Sequence, residues 1–566
     1  MNMKQFKKRK RWFSLIAGLL VIAMLAACNN QPNQPTETTG EGNATVDPGN
    51  QNTEYLGIKP LVYPKDAVQT LAQRNISLSD FANRGAGDTS YTGNGHHEGT
   101  NLVVSPYFTA SINDLKLPVY ATPVYVATDN HGTLHSYASV DVDFTKHQMV
   151  TITLHLQDLV QMQYAQVFCH DPAPMSFANQ TIRLTVTKNG VYTVVVNNSQ
   201  DCAITIFVRE YADEEAEIKA YQETYGEDKV TVYEPGLHEI DYILMMKDNS
   251  VLYLKAGAIL LPQHTIDIMD DKAAANEKEF GANETNGLGL KRYSVINGYQ
   301  ADNLIIAGRG TVDMTEMDWH ERRGIVFSLC DNVTIDGVIV INPCEWAFIT
   351  YRCKNVKVTQ SAVLGYRTNS DAFAICNTIG ATVTDCFART GDDMFEVKTL
   401  GGVDGAVSKD ITYSRCQAWG SKARCFGVIG EIEKDVSNIL FEDGIVIFRD
   451  AIWDNNRIGS LVVLRECGTG KVDGITFRNI RIHHDSGRPI QVGCYGKELS
   501  NSKMHNIVFE NITISAVNKG QIKLNEGEGN ELSVTLRKII TNGAIVTEFN
   551  KDTYFMYDRN GLFVIE

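Results

Sequence analysis

Three aspartates in the second half of the chain have a spacing that could support acid–base chemistry. Asp371 precedes Phe373 by two residues. Asp393 likewise precedes Phe395 by two residues, and Asp392 lies directly before it. If the two segments are equivalent repeats, their three carboxyl groups meet in one small region. Like charges at that range favour retention of a proton near neutral pH, so the group would contain both acid and base. Aspartate pairs at turns are often merely solvated, but the matching Asp371 favours a site.

Hydrolysis of a glycosidic bond needs the parts that such a cluster provides. One carboxylic acid protonates the leaving oxygen, and a second carboxylate activates water or attacks directly. Arg424 would lie in the same column one repeat later, and Arg457 follows in the repeat after that. Trp346 would occupy this column one repeat earlier, where its ring could stack on a sugar. The pattern therefore predicts a cleft for a sugar chain.

The elements that must position these residues recur along the second half of the chain. A turn-forming residue is followed by apolar residues at period two in eight copies, at Asn303, Asn332, Asn355, Gly380, Asp410, Asn438, Gly474 and Asn506. Short strands repeating without helices between them stack into a solenoid with loops of variable length. We predict a right-handed parallel β-helix, the pectin-lyase-like solenoid, over residues 236–566. Repeats of unequal length favour it over a β-propeller or a leucine-rich solenoid.

The turn-forming residues and the cysteines give further expectations for this solenoid. Asn, Asp and Gly at the corner suit a left-handed backbone bend. The twelve cysteines show neither a CxxC pair nor a metal-ligand spacing, so we expect no metal site. Cys386 and Cys416 fall at equivalent places in neighbouring repeats, which predicts stacked core thiols, with a disulfide as the alternative.

Residues 55–235 have a different pattern. Short alternating apolar runs are separated by turn residues, which is typical of an antiparallel β-sandwich. Asn189 and Gly190 lie between two such runs and predict a hairpin. No residue of this part has a spacing that points to chemistry. The fold class is therefore all-β, with an N-terminal antiparallel β-sandwich followed by the parallel β-helix.

The chain begins with the features of a bacterial lipoprotein. Residues 1–27 form a signal peptide in which six basic residues precede an apolar stretch that ends directly before Cys28. We expect Cys28 to be acylated and to hold the protein on the outer face of the cell membrane, at the cell surface or in the periplasm. An ordinary signal peptide with an incidental cysteine is the alternative. Residues 28–54 are polar and form a flexible linker.

The net charge of the chain limits the kinds of molecule that the protein is expected to bind. It is −15 and becomes more negative once the basic signal peptide is removed, which argues against nucleic acid as a partner. We expect a polysaccharide as the partner, no membrane contact apart from the lipid anchor, and a monomer.

The two aspartate segments resemble the Asn-Thr-Asp and Gly-Asp-Asp motifs of the polygalacturonases, glycoside hydrolase family 28. They read Asn369-Ser370-Asp371 and Gly391-Asp392-Asp393, and Lys398 falls where those enzymes often carry lysine. The resemblance covers roughly residues 250–515. A β-sandwich before the β-helix is instead similar to the dextranases and isopullulanases of family 49, in the same clan. The resemblance implies an inverting hydrolase without metal or other cofactor. Asp392 would be the general acid, Asp371 and Asp393 would hold and activate water, and Asn369 and Lys398 would help to bind substrate.

Two departures from the polygalacturonase pattern concern the substrate. The Gly-His-Gly motif is replaced by Cys425-Phe426-Gly427, and the Arg-Ile-Lys motif is matched only as Arg457-Ile458-Gly459. The loss of His and Lys weakens the case for galacturonate and leaves the aspartates untouched. The expected substrate is therefore a pectic galacturonan or an α-glucan, bound with the help of Arg424, Arg457 and Trp346.

Two other kinds of function fit the same fold. A polysaccharide lyase would abstract a proton next to a uronate carboxylate, usually with calcium, and its unsaturated products absorb in the ultraviolet. A glycan-binding adhesin would use the solenoid as a scaffold and release no product. Fold alone does not distinguish these classes from a hydrolase.

Overall fold

The computed structural model places most of the chain after the linker. It describes residues 56–85, 97–241, 243–264, 293–401, 406–420, 422–450, 458–494, 500–524, 528–558 and 561–566. The signal peptide, Cys28, the whole linker and Arg457 lie outside the described residues. The body that follows the linker is one compact unit. None of the helices in the described ranges is both long and apolar enough to cross a bilayer.

The N-terminal part consists of two sheets whose apolar faces share one core. The seven-stranded sheet contains Ile58–Pro60, Val103–Val104, Tyr120–Val126, His131–Val142, Ala165–Phe168, Gly190–Val196 and Ala203–Glu210. The five-stranded sheet contains Phe108–Ile112, Leu115–Leu117, Val150–Leu156, Met175–Ala178 and Thr181–Val186. All pairings are antiparallel except that of His131–Val142 with Ala203–Glu210. Alternate residues of Val150–Leu156 are buried, as expected of a strand with one face on a core.

The hairpin predicted at Asn189 and Gly190 is wrong. The strand before it, Thr181–Val186, belongs to the five-stranded sheet, whereas Gly190–Val196 pairs within the seven-stranded sheet. Both strands bury apolar side chains in the shared core. The turn therefore carries the chain from one layer of the sandwich to the other. Gly190 has a φ of +155°, which glycine adopts readily.

Short helical segments lie beside the two parts. Leu78–Asn83 packs on the sandwich, Glu214–Tyr225 and the 3₁₀ turn Glu227–Lys229 lead into the parallel strands, and Lys551–Tyr554 lies near the C-terminus. Ser77 caps the first helix and Asp213 the second, because each side chain accepts a backbone hydrogen bond.

The second part is a right-handed parallel β-helix in which most coils contribute one strand to each of three ladders. Two of these ladders join into a 22-stranded sheet made of Val230–Tyr233, Gly236–Ile240, Ser250–Leu254, Ala258–Pro262, Leu304–Gly308, Thr311–Asp313, Asp331–Asp336, Ile339–Ile341, Lys354–Thr359, Ala362–Leu364, Ile379–Thr384, Phe387–Thr390, Ser408–Ser414, Gln417–Gly420, Val436–Glu442, Ile445–Arg449, Val472–Arg478, Arg481–Asp485, Lys503–Ala516, Glu531–Thr541, Ala544–Ile545 and Phe563–Ile565. The third is an 11-stranded sheet made of Leu244–Met246, Tyr293–Tyr299, Arg322–Ser328, Phe348–Tyr351, Phe373–Cys376, Phe395–Thr399, Phe426–Ile432, Gly459–Cys467, Arg488–Cys494, Gly520–Lys523 and Phe555–Tyr557. The predicted fold class is confirmed.

The coil corners have the left-handed backbone that their residue types predict. All eight predicted corner residues have a positive φ, between 54° and 74°. Their amides also form a ladder along the solenoid. Nδ2 of Asn303 donates to Oδ1 of Asn249 (2.8 Å), Asn332 donates to Asn303 (3.0 Å), and Asn355 donates to Asn332 (3.3 Å). The corner thus combines a favourable backbone with repeated side-chain hydrogen bonds.

Columns of like side chains fill the interior of the solenoid. The rings of Phe348, Phe373, Phe395 and Phe426 are stacked, with centroids 4.9, 5.2 and 4.9 Å apart. Cys386 lies beside Cys416 in the column predicted from the repeat, and both are buried free thiols. This close packing fixes the strand register, and the register in turn places the polar residues at the strand ends.

Candidate active site

Most of the predicted site residues lie in one column, just before the N-terminal ends of four successive strands of the 11-stranded sheet. Strand pairing aligns Phe348, Phe373, Phe395 and Phe426, and backbone hydrogen bonds extend the alignment towards the preceding turn. There, N–H of Ala347 donates to Asp371 O (2.8 Å), that of Ala372 to Asp393 O (2.8 Å), and that of Met394 to Arg424 O (3.1 Å). The residues two before the phenylalanines therefore follow one another along the solenoid, in the order Trp346, Asp371, Asp393 and Arg424.

The three aspartates form a compact carboxyl cluster. One oxygen from each of Asp371, Asp392 and Asp393 lies within 4.8 Å of those of the other two. All three side chains are buried, and Asp392 is the most exposed at 5%. Asp392 accepts hydrogen bonds from the backbone N–H groups of Asn369 and Asp393, each at 2.9 Å. Asn369 thus contacts the cluster through its backbone, and a contact between its side chain and substrate stays a prediction.

Burial and neighbouring negative charges raise the pKa values of two of the three aspartates, Asp371 and Asp392. Burial, followed by the charges of Asp371 and Asp393, raises the pKa of Asp392 well above its usual value. Burial and then the charge of Glu396 raise the pKa of Asp371 in the same way. A carboxyl group with a raised pKa can donate a proton at neutral pH, and an ionised neighbour can accept one. The arrangement therefore supplies both partners for acid–base catalysis.

Lys398 is the internal counter-ion of the site. Its Nζ lies 3.0 Å from Glu396 Oε2, 3.4 Å from Asp371 Oδ2 and 3.5 Å from Glu431 Oε2. Burial opposes the charge of Lys398, but these acids outweigh it and raise the lysine pKa well above its usual value. Lys398 thus holds Asp371 in place, and a direct contact with substrate stays a prediction.

Arg424 holds another member of the cluster. Its backbone N–H donates to Asp393 Oδ1 (2.9 Å) and its Nη1 to Asp393 Oδ2 (3.2 Å). Its Nη2 donates to Glu466 (2.8 Å) on the next coil. Because both oxygens of Asp393 are engaged, the carboxylate has one defined orientation. A role for Arg424 in binding substrate stays a prediction, and Arg457 lies outside the described residues.

Trp346 lies at the edge of the cluster and is 9% exposed. Lys398 Nζ lies 4.4 Å from its ring centroid, and the Arg323 guanidinium lies 5.1 Å from the same centroid. Arg323 is itself bound to Glu345 (3.0 Å). The indole therefore lies between two cations, Lys398 and Arg323, each of which is paired with a carboxylate. Stacking of the indole on a sugar stays a prediction.

Glu396 belongs to the site, although its sequence position suggested no role. It alternates with Phe395 and Val397, which point into the core, so its side chain lies on the outer face of the same sheet. It is fully buried and lies beside Lys398 and Asp371. Burial raises its pKa to about 8. The alternation of one acid with apolar residues was the signal that could have identified it.

The sandwich also contacts the solenoid close to the turn that carries Asn369. Lys422 Nζ lies 4.8 Å from the ring centroid of Tyr125, a residue of the sandwich. The same Nζ donates to Thr368 Oγ1 (3.1 Å), directly before Asn369 in the chain. The sandwich is therefore connected to the turn whose backbone holds Asp392.

The part of the chain that carries this site matches a known protein family. The family model of the glycosyl hydrolases family 28 matches residues 266–551, slightly more than half of the chain. Proteins named probable exopolygalacturonase B from Aspergillus flavus and Aspergillus oryzae are each 25% identical over 255 residues. That alignment covers 42% of this chain and 53% of theirs, so the chain spans about half the length of these relatives.

A solved structure resembles both parts of the molecule. Dex49A from Penicillium minioluteum superposes with a TM-score of 0.58 at 12% sequence identity. The superposition covers 85% of this chain and 97% of Dex49A, and at this identity it shows a common fold. The match to the family model extends over both aspartate segments and the strands that hold them. The chain belongs to the glycosyl hydrolases of family 28.

Proposed function

We propose that this protein is a glycoside hydrolase that cleaves O-glycosidic bonds of a polysaccharide by general acid–base catalysis, without a metal ion. The observation that carries the proposal is the cluster of three buried aspartates within 4.8 Å of one another. Membership of family 28 supports the same chemistry. A rigid fold has no structural need for three adjacent buried carboxyl groups, and raised pKa values of this kind are characteristic of functional sites.

The contacts suggest a role for each aspartate. Asp392, whose pKa is raised, donates its proton to the glycosidic oxygen as the bond to the anomeric carbon breaks. Asp371 and Asp393 bind a water molecule, whose oxygen attacks the anomeric carbon while one of the two carboxylates takes its proton. Lys398 holds Asp371 and Arg424 holds Asp393 through these ion pairs.

We propose an inverting course, which the family resemblance implies. The three carboxyl groups are closer together than the roughly 6.5–9.5 Å that is common in inverting glycosidases. The stereochemistry therefore needs its own test. Proton NMR of the first product should show the anomer opposite to that of the substrate, whereas a retained anomer would overturn inversion and leave hydrolysis intact.

The substrate and the cellular location are parts of the same proposal. The named relatives point to a pectic galacturonan, and the replaced His and Lys of the polygalacturonase motifs leave an α-glucan as the alternative. The predicted signal peptide and Cys28 support a location outside the cytoplasm, on a lipid anchor. Replacing Cys28 with Ser should move the protein from the membrane fraction to the soluble fraction. Unchanged membrane association would count against the anchor.

The hydrolase is tested by the release of reducing ends. Residues 53–566 are incubated with polygalacturonate, rhamnogalacturonan, dextran and pullulan, with and without a chelator. Release should resist the chelator, and Asp392→Asn should lower the rate about 10³-fold because the general acid is lost. Asp410→Asn is the matched control, since Asp410 is a corner residue of the solenoid and should tolerate the change.

Other outcomes would favour the other functions. Unsaturated products that absorb in the ultraviolet, lost in the presence of the chelator, would favour a lyase that uses the carboxyl cluster to bind calcium. Binding of a glycan without release of any product would favour a scaffold. Full activity of Asp392→Asn would remove the aspartate cluster from the mechanism.

A further inference from the structure

We propose that Tyr413 is a positioning residue of the active site, whose hydroxyl group ties together the two strands that carry Asp371 and Asp393. This inference rests on the proposed hydrolase function and adds to it a residue that acts from the core of the solenoid. It follows from the contacts of the hydroxyl, from the apolar residues around the ring, and from the place of the two strands in the site.

The hydroxyl of Tyr413 lies where two strands of the active site meet. Its Oη donates to the carbonyl oxygen of Glu396 at 2.6 Å and to that of Phe373 at 3.1 Å. A tyrosine hydroxyl carries one proton, so the two carbonyls share it in a three-centre hydrogen bond. The strands concerned, Phe373–Cys376 and Phe395–Thr399, are paired in parallel. The hydroxyl therefore links two neighbouring coils of the 11-stranded sheet.

The packing around Tyr413 calls for an aromatic ring but not for a hydroxyl. Its ring stacks on that of Phe441 with centroids 5.1 Å apart, and the stack continues through Phe477 and Phe509. Phenylalanine would fill the same place in this stack. Strand register aligns Tyr413 with apolar residues on the coils before and after it, among them Ile306, Ile335, Val358, Val383, Phe441, Phe477, Phe509 and Leu536.

The hydroxyl is placed in an apolar core only at these coils. Among the described residues that are buried in the core of the solenoid, Tyr413 is the one tyrosine, and it is 1% exposed. Taking a hydroxyl out of water costs free energy unless it finds a hydrogen-bond partner. Both partners of this hydroxyl belong to the strands that follow Asp371 and Asp393. The position of the one buried tyrosine thus coincides with the position of the carboxyl cluster.

The two linked strands determine how far apart the aspartates lie. Asp371 precedes Phe373 by two residues, and Asp393 precedes Phe395 by two residues. One oxygen from each of the three aspartates lies within 4.8 Å of the others. A shift of one strand against the other would change this separation, and a small displacement of reacting groups lowers the rate strongly. The hydroxyl of Tyr413 opposes such a shift from the core side of the sheet.

The test is Tyr413→Phe, which keeps the ring and removes only the hydroxyl. Release of reducing ends is measured on the polymer that the wild-type enzyme cleaves fastest. We expect kcat to fall at least about tenfold and KM to change by less than about twofold, because the aspartates move while the contacts to substrate remain.

Tyr192→Phe is the matched control. Tyr192 is a buried tyrosine of the sandwich whose hydroxyl donates to the carbonyl oxygen of Lys188 at 2.7 Å. The control loses the same kind of hydrogen bond outside the active site, so it should lower the melting temperature by a similar amount and keep the wild-type kcat. Tyr413→Leu is a second variant without the hydroxyl, since Leu536 shows that the column accepts leucine. It should also lose kcat at least about tenfold.

The remaining outcomes separate the two proposals. A wild-type kcat in a folded Tyr413→Phe or Tyr413→Leu variant would overturn the positioning role and leave the hydrolase intact. Equal losses of kcat in Tyr413→Phe and Tyr192→Phe would also overturn it, because a general loss of stability would then explain both. No release from any polymer by the wild-type enzyme would overturn the hydrolase itself, and the inference with it.

Discussion

At the scale of single residues, the site is a group of acids whose pKa values depend on one another. Burial, followed by the charge of Glu396, raises the pKa of Asp371, which must be ionised to activate water. Activity should therefore fall as the pH drops through the pKa of Asp371. Glu396 is charged only above its pKa of about 8; Glu396→Gln removes that charge at every pH and so lowers the pKa of Asp371. The acid limb of kcat/KM against pH should move to lower pH, and an acid limb that stays in place would contradict the role of Asp371.

The sequence predicted some of these residues and not others, for a physical reason. Trp346, Asp371, Asp393 and Arg424 were placed in one column because the repeat fixes the register. Glu396 was missed because the residues beside it on neighbouring coils are not polar. The position of Lys398 was expected, but its function as a counter-ion depends on side chains that converge from different coils. Such convergence depends on side-chain conformations that no repeat pattern contains.

At the scale of elements, the corner residues give a direct test of what stabilises a coil. Asn332 combines a φ of 60° with two hydrogen bonds of the amide ladder. Asn332→Ala loses the ladder contacts and introduces a strained left-handed backbone, so the free energy of unfolding should fall by about 2 kcal/mol. Asn332→Gly loses only the contacts and should cost about half as much. Urea denaturation measures both, and equal losses would show that backbone strain is unimportant at the corner.

Element types were easier to predict than the partners of the elements. The solenoid followed from eight turn-forming residues, all of which have a left-handed backbone. The turn at Asn189 and Gly190 had the local signal of a hairpin, yet its two flanking strands lie in different sheets. A local turn signal predicts that the chain reverses direction, but it does not predict which of the two sheets the next strand joins. That choice depends on which apolar faces meet in the core.

At the scale of the whole molecule, the sandwich is packed against one side of the solenoid. Phe207 of the sandwich contacts Phe387 of the solenoid with ring centroids 6.0 Å apart. The buried Arg389 lies between the two parts, 2.8 Å from His135 and 3.9 Å from the ring centroid of Trp419. Burial and the charge of Arg389 lower the pKa of His135 well below its usual value, so this histidine is neutral. The sequence indicated two domains but not this interface, because an apolar pattern shows that a face is buried without showing against what.

The contact between Tyr125 and Lys422 predicts that the sandwich contributes to catalysis as well as to stability. The ring of Tyr125 positions Lys422, which holds Thr368 at the start of the turn that carries Asn369. Tyr125→Ala removes the ring, so the turn and the backbone N–H that binds Asp392 should move. A small displacement of an acid catalyst lowers the rate strongly, and we expect kcat to fall about tenfold with little change in KM.

Tyr125→Phe keeps the ring and should retain the wild-type rate. Steady-state kinetics of both variants, beside their melting temperatures, separate positioning from lost stability: a wild-type kcat in a folded Tyr125→Ala variant would limit the sandwich to a structural role.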